Sequence, residues 1–198
     1  NKLVFNRFIK IGAKFMLVYR YKYELDDCAN KFFKDIQGLF FPEYELLSKK
    51  MATGIYHELF ARKLGDENAL SCGYAISLNS ADQLKKLSHF FSDTDCMLFD
   101  EFQTESGMYA ANEVAKFKSL HVSIARGGGE QAKYLPVYML SNPVSIINPY
   151  YVELGIADRL QSDTKFLRCC SEICKRSTRS LNSFPRTVSS SLPPILTL

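Results

Sequence analysis

Short apolar runs alternate with segments of helical spacing along most of the chain. The runs of strand length are 15–21 (FMLVYRY), 74–78, 97–99 and 137–140. Apolar residues recur at helical spacing in 1–12, in 24–37, from 80 to about 90, and in 108–125. Strands that alternate with helices predict an α/β fold with a mostly parallel sheet that is flanked by helices.

Three local patterns sharpen this prediction. Residues 44–60 read as two short strands that form a hairpin around Gly54. Ser80-x-x-Gln83 is a capping-box pattern at the start of a helix. Two helices show one apolar face each, which consists of Leu3, Val4, Phe8 and Ile11 in the first and of Val114, Phe117, Leu120 and Ile124 in the last.

The pattern fades towards the carboxyl terminus. Residues 166–198 are rich in Ser, contain Pro185, Pro193 and Pro194, and include Glu172 as their one acid. This composition predicts a tail that is disordered or foreign to the fold, after a folded domain at 1–165. The chain also begins with Asn1 inside an amphipathic pattern, which suggests a partial sequence.

Charge and cysteine content narrow the function classes only slightly. The net charge is +4, but all six basic residues of the first 23 positions precede the first acid, Glu24. Such a basic start can lie near phosphate or DNA, or it can be a solvated helix face. No apolar run approaches the ~18 residues of a membrane span. The cysteines form no CxxC pair, so reduced thiols are the plainer interpretation, although Cys169, Cys170 and Cys174 leave a zinc site open.

Two acids, Asp100 and Glu101, directly follow the apolar run 97–99. Ligands bind beyond the carboxyl ends of strands in a parallel α/β sheet, so these carboxylates should face that crevice. Asp100 could help to hold Mg²⁺ through its water shell, and Glu101 could orient and polarise an attacking water. A strand that simply ends at solvent gives the same pattern, and both interpretations stay open here.

Two further positions could complete such a site. Ser141 and Asn142 follow the run 137–140, where P-loop ATPases often carry a polar sensor for the γ-phosphate or the attacking water; a plain Asn-Pro turn is the alternative. Arg126 ends the last predicted helix and precedes three glycines. It could reach a neighbouring subunit's nucleotide as an arginine finger, or it could be a favourable charge at a helix end with a glycine cap.

The phosphate-binding half of such a site cannot be identified. No GK[ST] tripeptide occurs in the sequence, and the glycines at 127–129 lack the Lys and Ser/Thr that a P-loop requires. Without that loop and its Lys, triphosphate binding should be badly weakened. The sequence also shows no recognisable Ser/His/Asp set, Cys/His pair or HExxH motif.

Five blocks in a fixed order carry a family resemblance. They are 6–10 (NRFIK), 18–25 (VYRYKYEL), 96–102 (CMLFDEF), 112–114 (NEV) and 140–149 (LSNPVSIINP), the last followed by Tyr150. Together they resemble the DNA encapsidation proteins of podoviruses, the phi29-like packaging ATPases that are similar to terminase large subunits. The resemblance covers roughly residues 1–165. LSNPVSIINPYY is specific to it, whereas the DEF block alone is not.

The resemblance implies a P-loop NTPase core of the additional-strand type, with the first strand and the P-loop upstream of Asn1. It implies that Asp100 is the Walker B aspartate, that Glu101 is the catalytic glutamate and that Arg126 is the finger acting in trans. Ser141 and Asn142 would form the sensor block. ATP and Mg²⁺ would be the cofactors, and residues 1–198 alone should hydrolyse ATP poorly or not at all.

The family context also implies partners and a place. A homo-oligomeric ring would drive double-stranded DNA into the phage prohead, in contact with the portal and with packaging RNA or its equivalent. It would act in the host cell cytoplasm, transiently at the portal vertex, and not in a membrane. A HerA/FtsK-like DNA translocase is the alternative within the same class. A non-catalytic nucleic-acid-binding module is the alternative outside it, favoured by the missing P-loop and the basic start.

Overall fold

The computed structural model describes residues 2–162 except Gly128, Glu130, Pro143, Ile146 and Ile147. Side chains are not described for 30–33, 35, 36, 161 and 162. The whole predicted tail at 166–198, with its three cysteines, lies outside the described residues.

The described residues form six strands and six α-helices, which alternate except that the second, third and fourth strands follow one another and so do the last two helices. The strands are β1 (Lys14–Tyr19), β2 (Tyr44–Met51), β3 (Tyr56–Lys63), β4 (Leu70–Ser77), β5 (Thr94–Asp100) and β6 (Val137–Leu140). The helices are α1 (Lys2–Ile11), α2 (Lys22–Phe40), α3 (Ala81–Lys86), α4 (Glu113–Arg126), α5 (Pro149–Glu153) and α6 (Ala157–Ser162). Within this described part, none of the helices has the length and apolarity to cross a bilayer.

The strands make one mixed sheet in the order β2-β3-β4-β1-β5-β6. β1 lies between β4 and β5 and runs parallel to both, and β5 runs parallel to β6. β2 and β3 form the predicted hairpin around Gly54, and β3 joins β4 antiparallel. The parallel part therefore brings the carboxyl ends of β1, β4, β5 and β6 to one side of the molecule, called the carboxyl edge below.

Both faces of the sheet are buried, which explains the near-continuous apolar runs of β1 and β5. Alternate residues point to opposite faces. Phe15 and Leu17 of β1 pack in a cluster with residues of α1 and α2, whereas Met16 and Val18 pack in a second cluster with residues of α3 and α4. The apolar face predicted for the last helix is confirmed in α4, where Phe117, Leu120 and Ile124 are fully buried.

Two local predictions were wrong. The Ser80 side chain makes no cap hydrogen bond, and the helix ends at Lys86, after which a 3-10 turn spans Ser88–Phe91. In α1, Leu3 and Ile11 are exposed, and Phe5 is buried instead. Phe5 packs edge-on against the rings of Phe41 and Tyr44, so contacts with the segment after α2 decide which face of α1 turns inward.

Gly73 in β4 supplies a test of the β1–β4 pairing. A Cβ atom at this position would lie 2.1 Å from the backbone carbonyl oxygen of Phe15, its register partner. Backbone cannot move aside as a flexible side chain can, so Gly73→Ala should reduce the free energy of unfolding by about 3 kcal/mol. Urea denaturation of the 198-residue chain, followed by circular dichroism, measures this change.

Gly38→Ala is the matched control for this prediction. Gly38 is an exposed position of α2 with no atom within 4 Å of an added Cβ. Alanine has the higher helix propensity, so this variant should gain roughly 0.5–1 kcal/mol. An unchanged urea midpoint for Gly73→Ala would mean that β1 and β4 are not paired as described.

Candidate functional site

The acidic pair Asp100–Glu101 lies where β5 stops pairing with β6. Asp100 is the last paired residue of β5 and stands opposite Leu140, the last residue of β6. The amide of Phe102 still donates a hydrogen bond to the Leu140 carbonyl at 3.2 Å. Backbone hydrogen bonding to β6 therefore continues two residues past Asp100. Both acidic side chains are exposed at the carboxyl edge. The structure therefore places both carboxylates at the carboxyl end of a parallel strand, and their role stays a prediction.

Ser141 and Asn142 lie next to this pair, at the end of β6. Because Asp100 pairs with Leu140, Ser141 follows its strand at the same level at which Glu101 follows β5. Ser141 is half-buried and its hydroxyl donates to the Asn142 carbonyl at 2.8 Å, while the Asn142 side chain is exposed. The fold thus brings four of the five predicted site residues to one edge: Asp100, Glu101, Ser141 and Asn142.

The backbone of Glu101 is strained. Its φ is 54°, in the left-handed region that few residues other than glycine adopt. Its amide bonds the Asp100 carboxylate at 3.1 Å. A non-glycine residue in this conformation costs about 1–3 kcal/mol and persists only where its surroundings hold it, which is common at functional sites.

A buried ion pair holds the turn that follows Glu101. Arg20, directly after β1, is 7% exposed, and Glu113, the first residue of α4, is 2% exposed. The Arg20 Nε donates to Glu113 Oε2 at 2.9 Å. Its two terminal nitrogens donate to the carbonyls of Glu101 at 3.3 Å and of Phe102 at 2.7 Å. This one guanidinium therefore joins the end of β1, the turn after β5 and the start of α4.

Glu113 is in turn fixed from two sides. Its Oε2 accepts from the Ala110 amide, and its Oε1 accepts from the Tyr150 hydroxyl, both at 2.8 Å. Tyr150 is 1% exposed. Burial, together with the charge of Glu113, raises the pKa of Tyr150, so its hydroxyl keeps its proton and donates.

Gln103 ties the loops after β5 and β6 to each other. Its buried side-chain oxygen accepts from the amides of Val144 and Ser145 at 3.2 and 3.1 Å. Its side-chain nitrogen donates to the Tyr151 hydroxyl at 2.7 Å. The loop that carries Ser141 and Asn142 is therefore bonded to the segment that carries Glu101.

Arg126 lies at the other end of the molecule from these residues. It ends α4, and Gly127 caps the helix with φ 54°, its amide bonding the Ser123 carbonyl. Gly127 packs against Ser92, which precedes the amino end of β5. The 14 residues of α4 span about 20 Å, so Arg126 is exposed far from Asp100 of its own chain.

Asp100 suits the outer shell of a magnesium ion. It is an exposed carboxylate, and Mg²⁺ is usually bound through one or two carboxylates, retained waters and substrate phosphates. In the described part of the chain, no group of three or more His, Cys, Asp or Glu side chains could enclose a metal ion. Among the described residues, Cys28, Cys72 and Cys96 are not in disulfide bonds.

A Ser/His/Asp row that the sequence did not reveal joins α2 to the β2–β3 hairpin, with two strands (β4 and β1) between β3 and β5. His57 of β3 bonds Ser48 through Nδ1 and Asp26 of α2 through Nε2, both at 2.8 Å. Asp26 also bonds Lys50, and these two contacts, first Lys50 and then His57, lower its pKa. The His57 ring is 2% exposed and enclosed by its partners. We assign the row a structural role, because it fastens α2 to the β2–β3 hairpin.

Sequence reasoning missed Arg20, Glu113, Tyr150 and Gln103 as site residues. Each bonds a residue at least 37 positions away, so no local pattern reveals the contacts. The available signal was that Arg20, Glu113 and Tyr150 stand inside or directly beside the blocks that carry the family resemblance.

The fold defines an α/β domain of the kind found in phage packaging ATPases. It matches the crystal structure of the N-terminal domain of the DNA packaging ATPase from bacteriophage phi29, with a TM-score of 0.57 and 29% identity, over 78% of this chain and 70% of that one. It also matches a chain of the bacteriophage phi29 viral genome packaging motor assembly, with a TM-score of 0.51 and 30% identity, over 76% and 41%.

The chain belongs to the podovirus DNA encapsidation protein (Gp16) family, whose model matches residues 1–166. It is 34% identical over 149 residues to the DNA packaging protein of Bacillus phage phi29, covering 74% of this chain and 39% of that protein. The chain thus spans about two-fifths of the length of the curated relatives it matches.

Proposed function

We propose that this chain contributes the hydrolytic carboxylates of an ATP-driven motor that moves double-stranded DNA into a phage prohead. Asp100 helps to hold the Mg²⁺ of a bound ATP through its water shell, and Glu101 orients and polarises the attacking water. Ser141 and Asn142 sense the γ-phosphate or that water. Bound Mg²⁺ supplies charge neutralisation at the phosphates.

One observation carries this proposal. The acidic pair and the polar pair end two adjacent parallel strands at the carboxyl edge, in a chain of the DNA encapsidation family. The left-handed backbone of Glu101 beside a buried arginine supports the same assignment, because strained residues are frequent at functional sites. The turn at Ala52 and Thr53 adopts the same conformation, so the strain adds to the argument without deciding it.

The partners follow from the same assignment. One structural match is a chain of a viral genome packaging motor assembly, which supports a homo-oligomeric ring that contacts DNA, the portal, and packaging RNA or its equivalent. The place of action is then the host cell cytoplasm, transiently at the portal vertex.

ATP hydrolysis with and without double-stranded DNA tests the proposal. The 198 residues contain no GK[ST] motif to cradle the phosphates. We therefore expect residues 1–198 alone to hydrolyse ATP poorly or not at all. A form extended to the length of the curated relatives should show DNA-stimulated, Mg²⁺-dependent hydrolysis, measured as phosphate release.

Either of two results would count against the proposal. Clear DNA-stimulated hydrolysis by residues 1–198 would show that the phosphates are bound in a different way. An extended form that binds DNA but does not turn over ATP would favour the non-catalytic nucleic-acid-binding module, for which the basic amino-terminal segment is the supporting feature.

A further inference from the structure

Arg20 is placed to control the backbone of Glu101 rather than its side chain. Hydrogen bonding between β5 and β6 ends at this turn, so the carbonyls of Glu101 and Phe102 need other donors. Arg20 supplies both of them from the adjacent strand, with two nitrogens of one planar group. The third contact of that group, to Glu113, fixes its orientation.

The environment of Arg20 leaves its guanidinium little freedom. Its centre lies 5.8 Å from the Phe99 ring centroid and 5.4 Å from that of Tyr109. Glu113, which neutralises its charge, is held by the Tyr150 hydroxyl of α5 and by the Ala110 amide. A continuous row of contacts therefore runs from α5 through Glu113 and Arg20 to the turn of Glu101.

We propose that Arg20 is a positioning residue for Glu101, and that Glu113 and Tyr150 hold Arg20 in place. The fork of Arg20 keeps Glu101 in its left-handed conformation and so fixes the carboxylate relative to the bound nucleotide. The row makes the position of Glu101 depend on α5, which follows the loop of Ser141 and Asn142. This inference rests on the proposed function, since it assumes that Glu101 acts on water.

Arg20→Lys in the extended form is the main test. Lysine keeps the charge but cannot reproduce the planar fork that bonds two carbonyls and a carboxylate together. Because a misplacement of about 1 Å can cost about 100-fold in rate, we expect kcat to fall about 100-fold. The dissociation constant for ATP, measured by equilibrium titration, should change less than about threefold, since the Arg20 guanidinium is buried and bonded to protein groups.

A double-mutant cycle with Glu101→Gln separates positioning from general damage. If Arg20 acts through Glu101, Arg20→Lys should cost nothing further in the Glu101→Gln background. Arg62→Lys is the matched control, because Arg62 pairs with Glu45 on the distant β2–β3 hairpin. It should leave kcat unchanged.

Two further measurements test the inference if Arg20→Lys fails to fold. Tyr150→Phe removes one hydroxyl from the row and should lower kcat about tenfold. In residues 1–198 it should also speed amide hydrogen exchange at 100–104 while β1 and β4 stay protected. Unchanged kcat and unchanged exchange in both variants would overturn the inference.

The proposed function and the positioning role of Arg20 can fail separately. Normal turnover by Glu101→Gln would remove the proposed function and this inference with it. An inactive Glu101→Gln combined with normal kcat in Arg20→Lys would remove only the positioning role. Additive losses in the double variant would show that Arg20 merely stabilises the fold.

Discussion

Glu101→Gln is expected to reduce ATP turnover in the extended form to a small residual rate while nucleotide binding is retained. Glutamine has the same size and keeps the backbone contacts of the turn, but it cannot polarise water as a carboxylate does. Loss of a general base costs about 10²–10⁴-fold in rate. Phosphate release should fall by this factor, whereas the affinity for ATP, measured with a fluorescent analogue, should stay within about threefold because Asp100, the proposed metal-binding acid, is unchanged.

Glu105→Gln is the matched control for this variant. Glu105 is an exposed acid in the same loop, four positions further on, so it tests whether any lost charge in this region slows the reaction. Turnover by Glu105→Gln should be normal. Near-normal hydrolysis by Glu101→Gln would contradict the assignment of Asp100 and Glu101 as the acidic pair of an ATPase.

The strands β1 and β5 could be predicted from the sequence because they are buried on both faces. The run at 15–21 coincides with β1 except that pairing stops at Tyr19, where Arg20 leaves the ladder to bond the neighbouring turn. The run at 97–99 is shorter than β5, because that strand begins with Thr94 and Asp95, which are not apolar. The hydrophobic pattern locates a strand, but it does not show which flanking polar residues also form backbone hydrogen bonds with the neighbouring strand.

Backbone features that depend on tertiary contacts could not be predicted. The helix expected over 108–125 begins only at Glu113, after Asn112 with φ 53°. The left-handed conformation of Glu101 could not be predicted either, since Glu101 is held by Arg20, a residue 81 positions away. The capping box at Ser80 failed for a related reason, because a short pattern predicts a bond only where the surrounding backbone permits it.

Only part of the candidate site could be predicted from the sequence. Asp100–Glu101 alone did not distinguish a catalytic pair from a strand end, and the ordered blocks of the family favour the catalytic pair, which stays a prediction. The grouping with Ser141 and Asn142 followed from parallel topology. The buried row of Arg20, Glu113 and Tyr150 did not, because the pairing of distant residues is set by the fold.

Arg126 lies too far from Asp100 and Glu101 of its own chain to reach a nucleotide bound there. A role as an arginine finger in trans can therefore be tested directly. About 20 Å of helix separates it from the start of α4, near Glu101, so a finger must act on the neighbouring subunit of a ring. Arg126→Ala in the extended form should lower turnover by about 10³-fold or more. Single-turnover phosphate release measures this loss even where translocation stalls.

Mixing variants then shows which subunit supplies the arginine. Rings assembled from equal amounts of Arg126→Ala and Glu101→Gln subunits should contain intact sites at about a quarter of their head-to-tail interfaces, each combining Glu101 of one subunit with Arg126 of the next. Single-turnover release should therefore rise above that of either variant alone. Arg126→Ala mixed with the double variant contains no Arg126 and should stay inactive. Mixed rings that form without any recovery would exclude Arg126 as a finger in trans.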